Sequence, residues 1–273
     1  MPALREHLFQ RRIGSDRLFR WRGGEVSRVE GLSDGVFALT LTLLVVSVDV
    51  PGTLYELWHT VRDLPVFLAC FVLLMWAWSQ HYLFFRRYGL EDLPTRVLNS
   101  VFLFLVLFYA YPTKFVATFL WRGVLGEPME AMFATPPGVE WMSSYRQRAT
   151  MMLFYGLGFV GVFGSLAAMS SWAYRRRDEL ELDELERFLT RGTVITHLLT
   201  AGVAAVSVAL VLLGVQPGWS GVVYFALGPL HAVWGYWVGR RAAQLDAQLA
   251  RAPSLVGSRG NSNDDASGSS SSA

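Results

Sequence analysis

Residues 28–49 read RVEGLSDGVFALTLTLLVVSVD, and the rest of the chain is best read outward from this stretch. Between Asp34 and Asp49 lie 14 uncharged residues, Gly35 to Val48. A helix through a hydrocarbon core needs ~20 apolar residues, so a helix built on this run carries a carboxylate near each end of its crossing. Charged groups at such depth face a bundle interior, a protein partner or an aqueous path. At ~100° per residue, Gly35, Leu39, Thr42, Val46 and Asp49 fall within an arc of about 80°, while Asp34 lies about 140° from Leu39. The stripe is small, large, hydroxyl-bearing, branched and acidic in order. An interhelical packing face and the lining of a pore both fit it, and periodicity alone does not separate them. Asp49 is placed at the outer mouth of whatever the stripe faces. Asp34 points toward neighbouring helices, where an unpartnered carboxylate would be costly and must find partners or neutralise.

The composition agrees with a lipid environment. The 273 residues are 52% hydrophobic and only 17% charged, against about 25% in soluble domains, which argues against a cytosolic enzyme. Apolar runs of ~20 residues recur at 33–50, 65–84, 97–119, 149–173, 192–214 and 219–239, so an all-α, polytopic membrane protein with six transmembrane helices is expected. If the amino terminus is cytoplasmic, 19 of the 24 basic residues fall on the cytoplasmic side, as the positive-inside rule requires. Both termini then lie inside. The expected organisation is a basic amino-terminal segment over 1–27, a six-helix unit over 28–241 and a mostly unstructured tail over 242–273, whose end is Gly, Ser, Asn and Asp. The first 27 residues carry six Arg and no apolar core of signal-peptide length. Their Arg side chains suit anionic lipid headgroups.

The basic set is 23 Arg with Lys114 as the sole Lys, which argues against a Lys-rich nucleic-acid arm. Cys70 is the single cysteine, so neither an intrachain disulfide nor a cysteine metal cluster is expected. Between the fourth and fifth runs, RRRDELELDELERFLTR places Arg175 with Glu179, Arg177 with Glu181 and Asp183 with Arg187 at helical spacing, so a helical cytoplasmic connector is expected. The segment from Trp121 to Arg148 is the longest irregular piece. His197 and His231 stand apart from any nucleophile or acid, which offers no enzyme site. Gly228, Gly235 and Gly239 around His231 suggest a close packing face.

His81 follows the end of the second apolar run, and Asn99 opens the third. With Asp34 they form a possible three-helix polar cluster, most simply a hydrogen-bonded lock between helices. A proton-coupled transporter or leak path using Asp34 and His81 is the rival reading, though no broken-helix pair or inverted repeat supports it.

The string Arg28 to Leu44, with Leu32, Ser33 and Asp34, resembles the first-helix signature of the transmembrane protein 175 potassium channels. Trp78-Ser79-Gln80-His81 with Phe85 is similar to the family's second-helix motif, Asn99 to its third-helix Asn, and Ala110-Tyr111-Pro112-Thr113 to the close of that helix. Leu32 stands where the family has Phe, and Val46 where a larger Leu is usual. The resemblance implies a six-helix chain of the prokaryotic type, four of which assemble around a potassium-permeable pore lined by their first helices. It implies a constriction at Leu39, Thr42 and Val46, with Asp49 attracting cations at the outer mouth. Arg28, Leu32, Ser33, Asp34, Trp78, His81 and Asn99 then form the network that holds the first helix in place. No cofactor is implied, potassium being the permeant ion. The partners are the lipid bilayer and further copies of the chain, with no nucleic acid, in the cell membrane. A TVGYG-like filter loop is absent from the sequence.

Overall fold

The computed structural model describes residues 18–46, 50–127, 132–134 and 143–264, with side-chain surroundings as far as Leu249 and not at Val46. Within these residues all regular structure is helical: α1 Arg28–Val46, α2 Leu54–Arg62, α3 Leu64–Tyr88, α4 Leu93–Val124, α5 Ser144–Arg175, α6 Glu184–Leu212, α7 Pro217–Val222, a 3-10 turn Val223–Ala226, and α8 Leu227–Asp264.

Local chemistry sets the boundaries. Ser27 and Glu30 cap α1 reciprocally: Glu30 N donates to Ser27 Oγ at 3.1 Å and Ser27 N to Glu30 Oε2 at 2.8 Å. Asp63 closes α2 and opens α3, with Pro65 in the first turn, where a missing N–H costs nothing. Gly89 ends α3 in the left-handed region at φ 59°, a conformation that disfavours any side chain. Asp92 opens α4 by accepting from Thr95 N, and Asp183 opens α6 through a second reciprocal cap with Glu186.

Four helices, α3 to α6, are long and apolar enough to cross a membrane among the described residues. The first of the six expected runs lies in α1, whose 19 residues include Arg28, Glu30 and Asp34. At 1.5 Å per residue α1 is about 28 Å long, close to the ~30 Å hydrocarbon thickness. The last expected run, 219–239, is not one uniform helix. It is divided among α7, the 3-10 turn and α8, because Pro229 near the start of α8 donates no backbone hydrogen bond and the preceding turn tightens. Helix α8 also continues to Asp264, past the expected start of an unstructured tail at 242. Pro112 lies inside α4, which runs on to Val124, so the Pro112-Thr113 pair does not close that helix.

The centre of the bundle is the α5–α6 pair flanked by α4, with Phe102, Met169 and Ala204 fully buried. Glycine on α5 allows the close approach of α4: a Cβ at Gly158 would stand 2.0 Å from Tyr109 Cε2. Gly228, Gly235 and Gly239, expected to pack closely, instead have no heavy atom within 4 Å of a built Cβ. The close glycine contact to α8 is Gly192 of α6, whose built Cβ lies 3.4 Å from Val238.

The expected helical connector is a turn. Helix α5 stops at Arg175 and Glu181 adopts a positive φ of 48°. Arg176 then pairs with Glu179, and Arg187 with Asp178, at 2.8 and 2.7 Å, in place of the pairings that continuous helical spacing implies. The connector makes one turn, closed by Leu180 N donating to Arg176 O at 2.9 Å, before the Asp183 cap starts α6.

Candidate functional site

Helix α1 packs only against α3 and α4 among the described elements. Its buried face is Glu30, Ser33, Phe37, Thr40 and Leu44, at alternating steps of three and four. The opposite face is uncovered: Leu32 is 66% and Leu39 51% exposed, Thr42 and Val45 are exposed, and Cβ atoms built at Gly31 and Gly35 meet nothing within 4 Å. The Gly35, Leu39, Thr42 stripe is therefore not the face by which α1 packs onto its own chain. Thr42 Oγ1 donates to Ala38 O at 2.8 Å, which leaves acceptor lone pairs on its open side. Val46 is the last residue of α1, its side chain lying outside the described residues, as does Asp49 entirely.

A buried hydrogen-bonded chain anchors the other face. His81 Nε2 and Asn99 Oδ1 are 2.9 Å apart, Asn99 Nδ2 donates to Ser33 Oγ at 3.0 Å, and Ser33 Oγ donates to Val29 O at 2.7 Å. Running backward from the Val29 carbonyl, each hydroxyl and amide has one consistent role, and His81 must then donate from Nε2. The His81 ring stacks on Phe102 of α4 at 5.7 Å, nearly parallel. Three helices are thus tied at one level, as expected, but the α1 member is Ser33 and not Asp34. Successive helical residues point ~100° apart, so only one of this pair can face inward. The hydroxyl both donates and accepts, whereas a buried carboxylate could only accept and would need a compensating charge.

Asp34 is exposed and accepts from Trp78 Nε1 at 2.9 Å. The Trp78 ring stacks on Tyr82 at 5.5 Å, and the Arg86 guanidinium sits 5.3 Å from the centre of the Tyr82 ring. Arg86 reaches Gly24 O at 3.0 Å and Glu30 at 3.8 Å. This ladder ties α3 to the first turns of α1. Arg28 and Leu32, expected in the anchoring network, are both exposed and lie outside it. They sit on the α1 face turned away from α3 and α4.

The residues before α1 form a strap built into the bundle. Phe19 is 1% exposed, its ring edge-to-face with Tyr88 at 5.6 Å and capped by the Arg87 guanidinium at 5.0 Å. Arg22 N and Gly23 N donate to Arg86 O at 3.0 and 3.1 Å. Arg22 pairs with Glu186 of α6 at 2.5 Å, while Arg20 N donates to the same carboxylate at 2.7 Å. Arg22 Nε also donates to Leu180 O in the α5–α6 turn at 2.7 Å. The Arg22 side chain thus acts within the protein, while Arg20 joins the strap through its backbone N–H and a 3.2 Å bond from its exposed side chain to Glu181 O. The Ser27-x-x-Glu30 signature could have located the α1 cap from sequence alone. Nothing local marks Phe19 or Arg22, because the partners that build them into the bundle, Tyr88 and Glu186, lie more than sixty residues away.

Nearby, Asp92 accepts from Trp172 Nε1 and pairs with Arg176, both at 2.8 Å. Partial burial works to raise its pKa, but the hydrogen bonds from Thr95 and Trp172 and the Arg176 charge together hold the carboxyl below its ordinary range. His231 lies 2.9 Å from Thr200 Oγ1, a tie between α6 and α8, and His197 is buried beside Phe163. No group of three His, Cys, Asp or Glu side chains among the described residues could hold a metal ion.

Asn99 is the junction of the buried chain, so its replacement has a defined consequence. Asn99→Leu strands the His81 donor and the Ser33 hydroxyl's incoming bond in an apolar setting, a loss of about 1–3 kcal/mol. A lowered unfolding midpoint in detergent is expected, and an unchanged midpoint would count against the chain as an anchor.

Residues 28–109 match the family described as "Endosomal/lysosomal potassium channel TMEM175". A potassium channel of Marivirga tractuosa is 34% identical over 246 residues, covering 87% of this chain and 98% of that one. A potassium channel of Chamaesiphon minutus is 32% identical over 107 residues, covering 35% of this chain and 51% of the other. Among solved structures, a variant of the potassium channel MtTMEM175 in complex with a nanobody fusion superposes with a TM-score of 0.70 at 34% identity. It covers 84% of this chain and 100% of that chain.

Proposed function

This chain belongs to the TMEM175 potassium channel family, and from that premise we propose that it forms a potassium-permeable pore in the cell membrane, lined by the exposed face of α1. The family is one of ion channels, not enzymes, with potassium as the permeant ion. The observation that carries the pore assignment is the division of α1 into two faces. One is buried against α3 and α4 and locked to them by the Ser33–Asn99–His81 chain, and the other presents Leu39 and Thr42, both exposed among the described residues.

Four chains around one axis bring four such faces together. Each chain crosses the membrane six times, α1 and the composite α7–α8 segment completing the set begun by α3 to α6. Arg86, Arg87, Arg175 and the strap then lie on the cytoplasmic side with both termini, as the positive-inside rule requires. A ring of Leu39 side chains excludes water when tight and admits partly dehydrated ions when dilated. Potassium gives up its water more easily than sodium, so a preference arises without a ring of fixed carbonyls. Beyond Leu39, the Thr42 oxygens offer their free lone pairs to the passing cation. Val46 forms the next ring, and Asp49 raises the local cation concentration by its field.

The geometry gives less support to a proton path. Asp34 is bonded to the Trp78 indole N–H, which cannot accept and pass on a proton, and His81 is engaged with Asn99. Bilayer recordings under opposed potassium and proton gradients test the function. Unitary currents reversing near the potassium equilibrium potential are expected. Reversal that follows the proton gradient would overturn the proposal.

A further inference from the structure

A cavity of about 570 Å³ lies between the second half of α4, the first turns of α5 and the α7 to 3-10 element. Its walls are mainly apolar, with the Tyr155 and Tyr224 rings among them, and carry one charge, Arg148, which stands near the start of α5. Four residues after Ser144, Arg148 is about 6 Å along the helix, and Tyr155, at the other end of the α5 wall, is about 10 Å deeper. Polarity therefore changes along the cavity from a cation at the helix start to hydrocarbon-like walls further in. Leu120, Val222 and Phe225 on the walls are 59%, 50% and 82% exposed, so among the described residues the cavity is open on this side.

Arg148 is not committed elsewhere by charge. Its guanidinium lies 5.7 Å from the centre of the Phe133 ring and its Nε donates to Ser144 O at 3.3 Å, but it has no carboxylate partner among the described residues. A guanidinium at headgroup depth above an apolar slot is complementary to one kind of molecule, with an anion at one end and a hydrocarbon chain at the other.

We propose that this cavity is a binding site for an anionic phospholipid, its phosphate on Arg148 and one acyl chain between α4, α5 and α7. The proposal uses the membrane-spanning character of α4 and α5 and does not depend on where the ion passes. Gly218 lines the cavity, and a Cβ built there meets no atom within 4 Å, so this wall has room for a side chain to be introduced.

The test uses the full chain in vesicles containing phosphatidylglycerol with a photoreactive group on its acyl chain, followed by mapping of the labelled peptides. Labelling is expected to concentrate on residues 148–155 and 217–225. Arg148→Gln lowers it about fivefold, the effect of one basic side chain at an anionic surface. Gly218→Leu abolishes it, and a phosphatidylcholine probe labels the site weakly and indifferently to Arg148→Gln. Labelling spread evenly over the lipid-facing helices, labelling unchanged in both variants, or protection of these peptides by contact with a second copy would overturn the proposal. Potassium flux from the same vesicles reports that each variant is assembled.

Discussion

Replacing Leu39 by Asn is expected to let sodium pass nearly as readily as potassium in a liposome flux assay. In the proposed pore, selectivity rests on the cost of removing water at an apolar ring. Leu39 is half-exposed on the open face of α1 and lies outside the buried core, so its replacement leaves the α1 anchor to α3 and α4 in place. Four amide side chains in place of four isobutyl groups offer hydrogen bonds that replace lost water for either ion. The difference between the ions then shrinks, each tenfold loss of preference corresponding to about 1.4 kcal/mol. Total flux is expected to rise or hold while the ratio falls. An unchanged ratio would remove Leu39 from the constriction.

The largest effect on stability is expected at Glu186. Its side chain is 2% exposed, and it holds Arg22, the Arg20 backbone and its own helix cap at once. Glu186→Ala leaves the Arg22 guanidinium, itself only 13% exposed, without its charge partner. Breaking a buried pair on one side costs about 3–5 kcal/mol. Glu186→Gln keeps some hydrogen bonding and should fall between. Removing both charges, in Arg22→Ala with Glu186→Ala, should recover part of the loss, because no buried ion is then left alone. Since the strap leads directly into α1, Glu186→Ala should also reduce potassium flux. Denaturant titration of the four proteins checks the order. A single variant as stable as the parent would show that the strap is not held by this carboxylate.

The spanning helices were legible because lipid imposes a simple demand, ~20 apolar residues with their backbone satisfied internally. Helix α1 was legible for another reason: a period of 3.6 residues sorts Gly35, Leu39 and Thr42 onto one side whatever surrounds them. Which side meets the chain's own core is a tertiary question, and both uses of the stripe stayed open until the buried face was seen to be Ser33, Phe37, Thr40 and Leu44. Asp34 was read as the α1 member of the buried cluster because a carboxylate is the more conspicuous of two adjacent polar residues, while the Ser33 hydroxyl is the one that can serve a dry hydrogen-bonded chain. The strap was illegible because Phe19 and Arg22 find their partners at Tyr88 and Glu186, which no local pattern connects. Charge spacing misled over 175–187, where a turn residue at positive φ and a strong cap outweigh pairings worth only about 0.2–0.5 kcal/mol each. Helix α2 was missed because its nine residues mix apolar and charged side chains and bury none.

The most direct test of the pore assignment is a cysteine scan of α1 in a Cys70→Ser background, read as block of potassium current by silver ion. Cysteine at 35, 39 and 42 should make the current silver-sensitive, while cysteine at 37, 40 and 44, which face α3 and α4, should not. Sensitivity at the second set with none at Leu39 and Thr42 would contradict the assignment of the ion path to the exposed face of α1.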